Sequence, residues 1–242
     1  MQNWRETKFQ HTSDGLIASR DVNEVAASSR LVCSLIAKFY ALHIPIHIKG
    51  DLIDFGCGKA PLFGCYSSYS NSVHFLDVES RLEHACLDYK ASLNEPLTCI
   101  QRTFDSAILS DVLEHLERPN IALSSIRTAL KTGGVLILTV PFLYGIHEAP
   151  NDFRRFTRYG LKSELTHAGF ERIEIQELGG LISVIATFVA KFLDRVFGSW
   201  ALPVKLWVGL TTLFMKIPII AQIDQKTSKR FPLEYGVICY AE

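Results

Sequence analysis

Apolar and polar positions fall into short, alternating blocks along this chain. From Asp21 the residues Val22, Val25, Val32, Ile36, Phe39 and Leu42 recur at three-to-four spacing or near multiples of it. That period predicts an amphipathic helix with Asp21 as its N-cap, packed on a sheet. Residues 1–20 before it are polar and read as irregular. Short apolar runs then come at 51–55, 73–77, 84–87, 104–110 and 135–140, and each reads as a strand. A helix is expected over 119–131, ended by Gly133-Gly134, and 170–178 and 235–240 supply two last strands. Strands alternating with helices predict an α/β fold: a doubly wound, mostly parallel, seven-stranded sheet covered on both faces.

The stretch 179–230 breaks that rhythm. It holds two charge-free apolar runs, 181–190 and 206–215, interrupted or flanked by Lys191, Asp194, Arg195, Lys205 and Lys216. Each run is shorter than the roughly 18–20 residues that span a bilayer. Three readings stand: buried helices covering the core or a homodimer interface, an apolar cap over a substrate, or attachment to a membrane surface. The last draws on the basic residues and on Trp200 and Trp207 beside the apolar faces. The expected organisation is an N-terminal helical segment (1–48), a ligand-binding core (49–178), an apolar helical insertion (179–230) and the last core strand (231–242).

Composition narrows the function. A chain of 242 residues suits one domain with an appendage. Twenty-five basic and 25 acidic residues cancel, which argues against nucleic-acid binding by bulk charge, and no nucleic-acid partner is expected. The six cysteines (33, 57, 65, 86, 99 and 239) show no paired spacing. They read as reduced thiols of a cytoplasmic protein, and no metal site is expected. The N-terminus is polar and carries no apolar signal segment.

The chemistry concentrates where strands end. In Asp51-Leu-Ile-Asp-Phe-Gly-Cys-Gly-Lys-Ala60 an apolar strand runs into an acid and then two alternate glycines. Glycine lets the chain turn tightly and lets a ligand lie against the backbone. The dinucleotide spacing G-x-G-x-x-G fails, because the next glycine is Gly64. Asp77 lies 21 residues beyond Gly56 at the end of the second strand, where an acid can accept both hydroxyls of a ribose.

These residues, with Ser110-Asp-Val-Leu-Glu-His-Leu116 and Lys131-Thr-Gly-Gly134, resemble the Rossmann-like S-adenosylmethionine-dependent methyltransferases of the small-molecule type. The resemblance spans roughly residues 50–178. It implies S-adenosylmethionine as cofactor, with Asp54 near the methionine amino end and Gly56, Cys57 and Gly58 along the donor. Asp77, followed by Val78, would hold the ribose. Asp88 would accept the adenine amino proton with Tyr89 over the ring, although Asp88 also reads as an ordinary loop residue. Ser110 and Asp111 would flank the methionine and sulfonium. The family more often has a third glycine where this chain has Ala60. His115 reads either as a general base or as a residue that orders its loop.

The loop after the fifth strand, Pro141-Phe-Leu-Tyr-Gly-Ile-His-Glu-Ala-Pro-Asn-Asp-Phe-Arg-Arg-Phe-Thr157, is the most distinctive segment. It gathers His147, Glu148, Asp152, Arg154 and Arg155, and it is similar to a string in uncharacterised methyltransferases, some near sugar and polysaccharide biosynthesis. Arg154 and Arg155 can grip a carboxylate or phosphate. His147 can deprotonate a hydroxyl, with Glu148 or Asp152 fixing its tautomer. The same charges can instead form an internal ion-pair network. Thr157 is expected to cap the helix that follows. The sequence thus points to an enzyme making O- or N-methyl transfers to a small-molecule or lipid-linked acceptor, with a sugar as one candidate. A nicotinamide-dependent oxidoreductase and a non-catalytic scaffold or membrane-associated protein with a vestigial donor site are the alternatives.

Overall fold

A computed structural model describes residues 4–12, 15–79, 82, 87–198 and 201–242. Its centre is a seven-stranded sheet formed by β3 (Asp51–Phe55), β4 (Ser72–Asp77), β5 (Tyr89–Lys90), β6 (Phe104–Ser110), β7 (Leu130–Pro141), β8 (Phe170–Leu178) and β9 (Glu234–Ala241). The strand order is β5-β4-β3-β6-β7-β9-β8. β5, β4, β3, β6 and β7 run parallel, and β9 lies antiparallel between β7 and β8. The chain leaves β3 for β4 and returns across it to β6. That reversal opens a crevice at the carboxyl ends of β3 and β6, the place where open α/β sheets bind ligands.

Burial explains the strands. Leu52, Ile53, Phe55, Ala107, Ile108, Leu109, Leu136, Ile137 and Leu138 are wholly buried, as expected of parallel strands covered on both faces. One face is covered by α3 (Pro119–Ala129) and α4 (Arg158–His167), the other by α1 (Arg30–His47). Pro119 starts α3 at the first helical position. Thr157 caps α4 as expected, accepting from the Gly160 amide at 3.1 Å. The segment Ala27–His47 is long and apolar enough to cross a membrane by length and composition. Here its Ile36, Phe39, Tyr40 and Ile44 pack into the core.

Several expected boundaries move. Asp21 caps a turn, accepting from the Asn23 amide, and α1 begins only at Arg30 after a short 3-10 turn. Residues 9–18 are a hairpin, β1 (Phe9–Thr12) and β2 (Gly15–Ala18), in place of irregular chain. Phe9, Leu16 and Ala18 bury one of its faces with α1. The helix expected to end at the glycine pair stops at Ala129. Leu130 already pairs with Phe104, and Gly133-Gly134 sit in an irregular stretch of β7. The third strand expected at 84–87 lies mostly outside the described residues, and β5 follows at 89–90.

The insertion forms three helices, α5 (Leu181–Phe197), α6 (Leu202–Phe214) and α7 (Pro218–Thr227). Asp224 of α7 ties the unit together. Its buried carboxylate accepts from the amides of Gly180 and Ser183 and from the Ser183 hydroxyl, capping the start of α5 from another helix. Trp207 donates to the Ala186 carbonyl, and Ser28 bonds Asp194, so α5 is fixed to both α6 and the N-terminal segment.

Candidate active site

The parallel order brings the ends of β3, β4, β6 and β7 to one edge. Two cavities open there, of about 600 and about 350 Å³, and they share Lys8, Glu24, Ser110, Asp111, His115 and Glu148 as a common wall. The larger lies over the glycine turn. Gly56 and Gly58 have φ of +65° and +55°, a region that L side chains rarely adopt. No other group comes within 4 Å of where a Cβ on Gly58 would project. Asp77 closes the turn by accepting from the Gly58 and Val78 amides at 2.9 and 2.7 Å. Cys57, Asp77 and Val78 line this cavity, as do Ala91, Ser92, Leu93 and Asn94 after β5. Burial pushes the Cys57 thiol up, which keeps it an inert lining group.

Three expected donor contacts lie elsewhere. Asp54 is buried and outside the cavity lining, and its carboxylate accepts from the Tyr66 hydroxyl at 2.7 Å. Burial pushes its pKa up to about 7, with Asp77 adding to the effect. Asp88 is turned to the outside of β4, where it takes the Phe75 amide and the His74 ring, both at 2.9 Å. Tyr89 packs with His74 and Phe104. The cavity wall on that side comes from residues 91–94, a few positions later than expected.

Ser110 and Asp111 stand where the cavities meet. Asp111 has φ +52°, bonds Lys8 at 2.6 Å and accepts from the Thr139 hydroxyl at 2.6 Å. Burial alone would raise its pKa, but Lys8 holds it below the usual carboxylate range. Glu234, 2% exposed, lies against this pair, and burial together with Asp111 raises it well above the ordinary value. Lys8 and Glu234 carry no signal in the sequence. They come from the hairpin and the last strand.

The smaller cavity is lined by the turn after β6 and the loop after β7. The loop after β7 is stitched onto the turn after β6: the Phe153 amide donates to the Glu114 carbonyl, and the His115 ring bonds the Asn151 carbonyl at 2.8 Å. His115 and His147 therefore meet edge to face, with ring centres 4.9 Å apart. Glu148, at φ +51°, lines both cavities. The remaining charges of the loop pair with each other or with the backbone. Arg155 holds Asp152 with both guanidinium nitrogens, at 2.6 and 2.8 Å, and keeps its carboxyl down at about 2. Asp152 in turn accepts from the His147 amide. Arg154 donates to the Glu117 carbonyl on the surface. Neither arginine lines the cavities, so the internal network replaces the expected anion clamp. Their proximity to Asp152 in the chain made that pairing cheap.

A family model described as a methyltransferase domain matches residues 26–175, more than half of the chain. The chain belongs to that family and is a methyltransferase of Rossmann-like fold. No curated protein sequence matches it. Among solved structures it resembles an S-adenosylmethionine-dependent methyltransferase from Archaeoglobus fulgidus, with TM-score 0.56, 15% identity and coverage of 88% of this chain and 97% of that one. A Mesorhizobium loti S-adenosylmethionine-dependent methyltransferase gives TM-score 0.56 and 16% identity over 87% and 99% of the two chains. The [4+2]-cyclase SpnF gives 0.54 and 16% over 87% and 81%. At these identities the likeness concerns the fold, and SpnF illustrates that one fold serves different reactions.

Proposed function

We propose that this methyltransferase acts on a small-molecule or lipid-linked acceptor presented at a membrane surface, with a hydroxyl or amine as the methylated group. S-adenosylmethionine is the methyl donor. The larger cavity suits it: Asp77 offers a carboxylate for the ribose, residues 91–94 can enclose the base, and Gly58 leaves room against the backbone. The donor supplies an electrophilic methyl group. The chain's own task is to orient the acceptor and exclude water, which the shared wall around Ser110, Asp111, His115 and Glu148 is placed to do.

The observation carrying the acceptor reading is the outer face of the insertion. On α5, Ile185, Phe188, Phe192 and Val196 form an exposed stripe at helical spacing. Leu202, Leu206, Leu210, Leu213, Phe214, Ile217, Ile219 and Ile223 continue it over α6 and α7, which meet at 94°. This patch far exceeds the scattered apolar residues of an ordinary surface. Residues 179–230 also carry seven Lys and Arg against two Asp, in a chain whose total charge is zero. A basic, apolar face complements an anionic bilayer. Lys191 connects it to the acceptor cavity: its ammonium donates to Ser29 Oγ at 2.8 Å and lies over the Tyr144 ring, between Phe188 and Phe192 in sequence. A molecule with a polar head in the cavity and an apolar tail along α5 fits that layout. The free thiols of Cys33, Cys57, Cys65, Cys99 and Cys239 support a cytoplasmic setting.

Co-sedimentation of the full chain with vesicles of mixed anionic and zwitterionic lipid tests this. Half-burying a Phe or Leu is worth roughly 1 kcal/mol, so a Phe188→Ser/Phe192→Ser/Leu206→Ser variant should partition roughly 100-fold more weakly while still binding S-adenosylhomocysteine. No vesicle binding, with concentration-dependent dimers in sedimentation velocity, would replace the membrane reading by a dimer interface.

A further inference from the structure

We infer that Glu114, His115 and His147 form a divalent-metal site at the acceptor end of the cleft. The Glu114 carboxylate is completely buried, and neither of its oxygens has a hydrogen-bond partner. A carboxylate in that condition costs several kcal/mol unless a cation compensates it. Its Oε1 lies 3.6 Å from His115 Nε2 and 3.7 Å from His147 Nε2, too far for hydrogen bonds. One ligand atom from each residue lies within 4.8 Å of the others. A metal holding such donors at about 2.0–2.2 Å separates tetrahedral neighbours by about 3.4 Å, so small side-chain rotations complete the set.

The outer contacts of both rings point the same way. His115 Nδ1 faces the Asn151 carbonyl at 2.8 Å, an oxygen that can only accept, so Nδ1 carries a proton and Nε2 is the ring nitrogen turned toward Glu114. His147 Nδ1 lies 3.3 Å from Asp152 Oδ2 and 3.5 Å from Arg155 Nη2, so the Arg155–Asp152 pair backs the ring and leaves Nε2 turned toward Glu114. A carbonyl or carboxylate behind each imidazole is the arrangement that orients metal-ligating histidines. The internal Arg155–Asp152 pair thus acquires a use: Asp152 is a positioning residue for His147.

Two imidazoles and one carboxylate suit Zn²⁺, Fe²⁺, Co²⁺ or Mn²⁺ and leave positions open. The trio lines the 350 Å³ cavity, so an acceptor oxygen can take an open position, be held in place and become more acidic. In this arrangement the two histidines serve as ligands instead of bases. Metal binding does not depend on the donor assignment, whereas this role toward the acceptor rests on the proposed function.

The test is titration of the metal-stripped full chain with Co²⁺, read by visible d–d absorption, with Zn²⁺ as competitor. One equivalent of Co²⁺ should bind and be displaced by Zn²⁺. Glu114→Gln and His147→Gln should each weaken Co²⁺ binding more than tenfold, and Asp152→Asn by 10–100-fold with the bands retained. His147 is partly exposed, so its variant covers the case in which Glu114→Gln fails to fold. S-adenosylhomocysteine titration and urea midpoints of the same proteins report donor binding and folding separately. Absence of stoichiometric Co²⁺ binding by the wild type, or wild-type affinity in both ligand variants, would overturn the site.

Discussion

Adding one methyl group at each glycine of the donor turn should separate a packing defect from a binding defect. Both Gly56 and Gly58 sit at positive φ, so alanine at either costs about 1–2 kcal/mol of backbone strain. At Gly56 the new Cβ would lie 2.7 and 3.0 Å from the two methyls of Val112, inside the protein. Overpacking adds about 1–3 kcal/mol, for about 2–5 kcal/mol in all. At Gly58 no neighbour lies within 4 Å, and Gly58 lines the larger cavity, the proposed donor site. With about 2–4 °C of melting temperature per kcal/mol in a chain of this size, Gly56→Ala should melt about 4–20 °C lower and Gly58→Ala only about 2–8 °C lower. Calorimetric titration with S-adenosylhomocysteine should then show Gly58→Ala weakened more than tenfold despite its milder instability. If Gly58→Ala binds like the wild type, the donor does not lie against the turn. If it melts lower than Gly56→Ala, Val112 does not crowd Gly56 more tightly than the surroundings of Gly58.

Asp54 and the loop arginines give two further tests. Burial raises Asp54 to about 7 from an ordinary value of 3.8, so its stabilising contribution is complete below about pH 3.8 and is lost as pH rises through 7. Asp54→Asn should therefore gain stability relative to the wild type by about 2–3 kcal/mol between pH 5 and pH 8 in urea melts, and a pH-independent difference would refute the buried acid. Arg154→Ala loses one surface hydrogen bond and should cost less than about 1 kcal/mol. Arg155→Ala strips both bonds from the Asp152 carboxylate and should cost about 2–4 kcal/mol, measured by urea denaturation, so equal losses would deny the internal network.

What the sequence made legible was local. β3 and β6 are short, mainly apolar runs, and their limits were readable from the sequence. The glycine turn and Asp77 were readable because spacing along one strand-turn-helix unit encodes a shape. The β1–β2 hairpin was not, since its strands are four residues long and only Phe9, Leu16 and Ala18 turn inward. Asp88 shows the limit within a unit: an acid near the expected strand end takes the Phe75 amide of β4 and lies outside the cavity lining.

The smaller cavity is harder to read because its polar residues come from distant segments that cross. Glu114 stands in the string Ser110-Asp-Val-Leu-Glu-His-Leu116, where nothing marks its carboxylate as the buried one. Its counterparts are the neighbouring His115 and a histidine beyond α3 and β7, brought back by parallel pairing of β6 with β7. Lys8 reaches Asp111 from beside the separate β1–β2 hairpin, across 103 positions. Charges close in sequence, such as Asp152 and Arg155, pair with each other, while Lys8 with Asp111 and Glu114 with His147 meet across distant segments. In a fold of this kind, a charged residue with no local partner is therefore the more informative one.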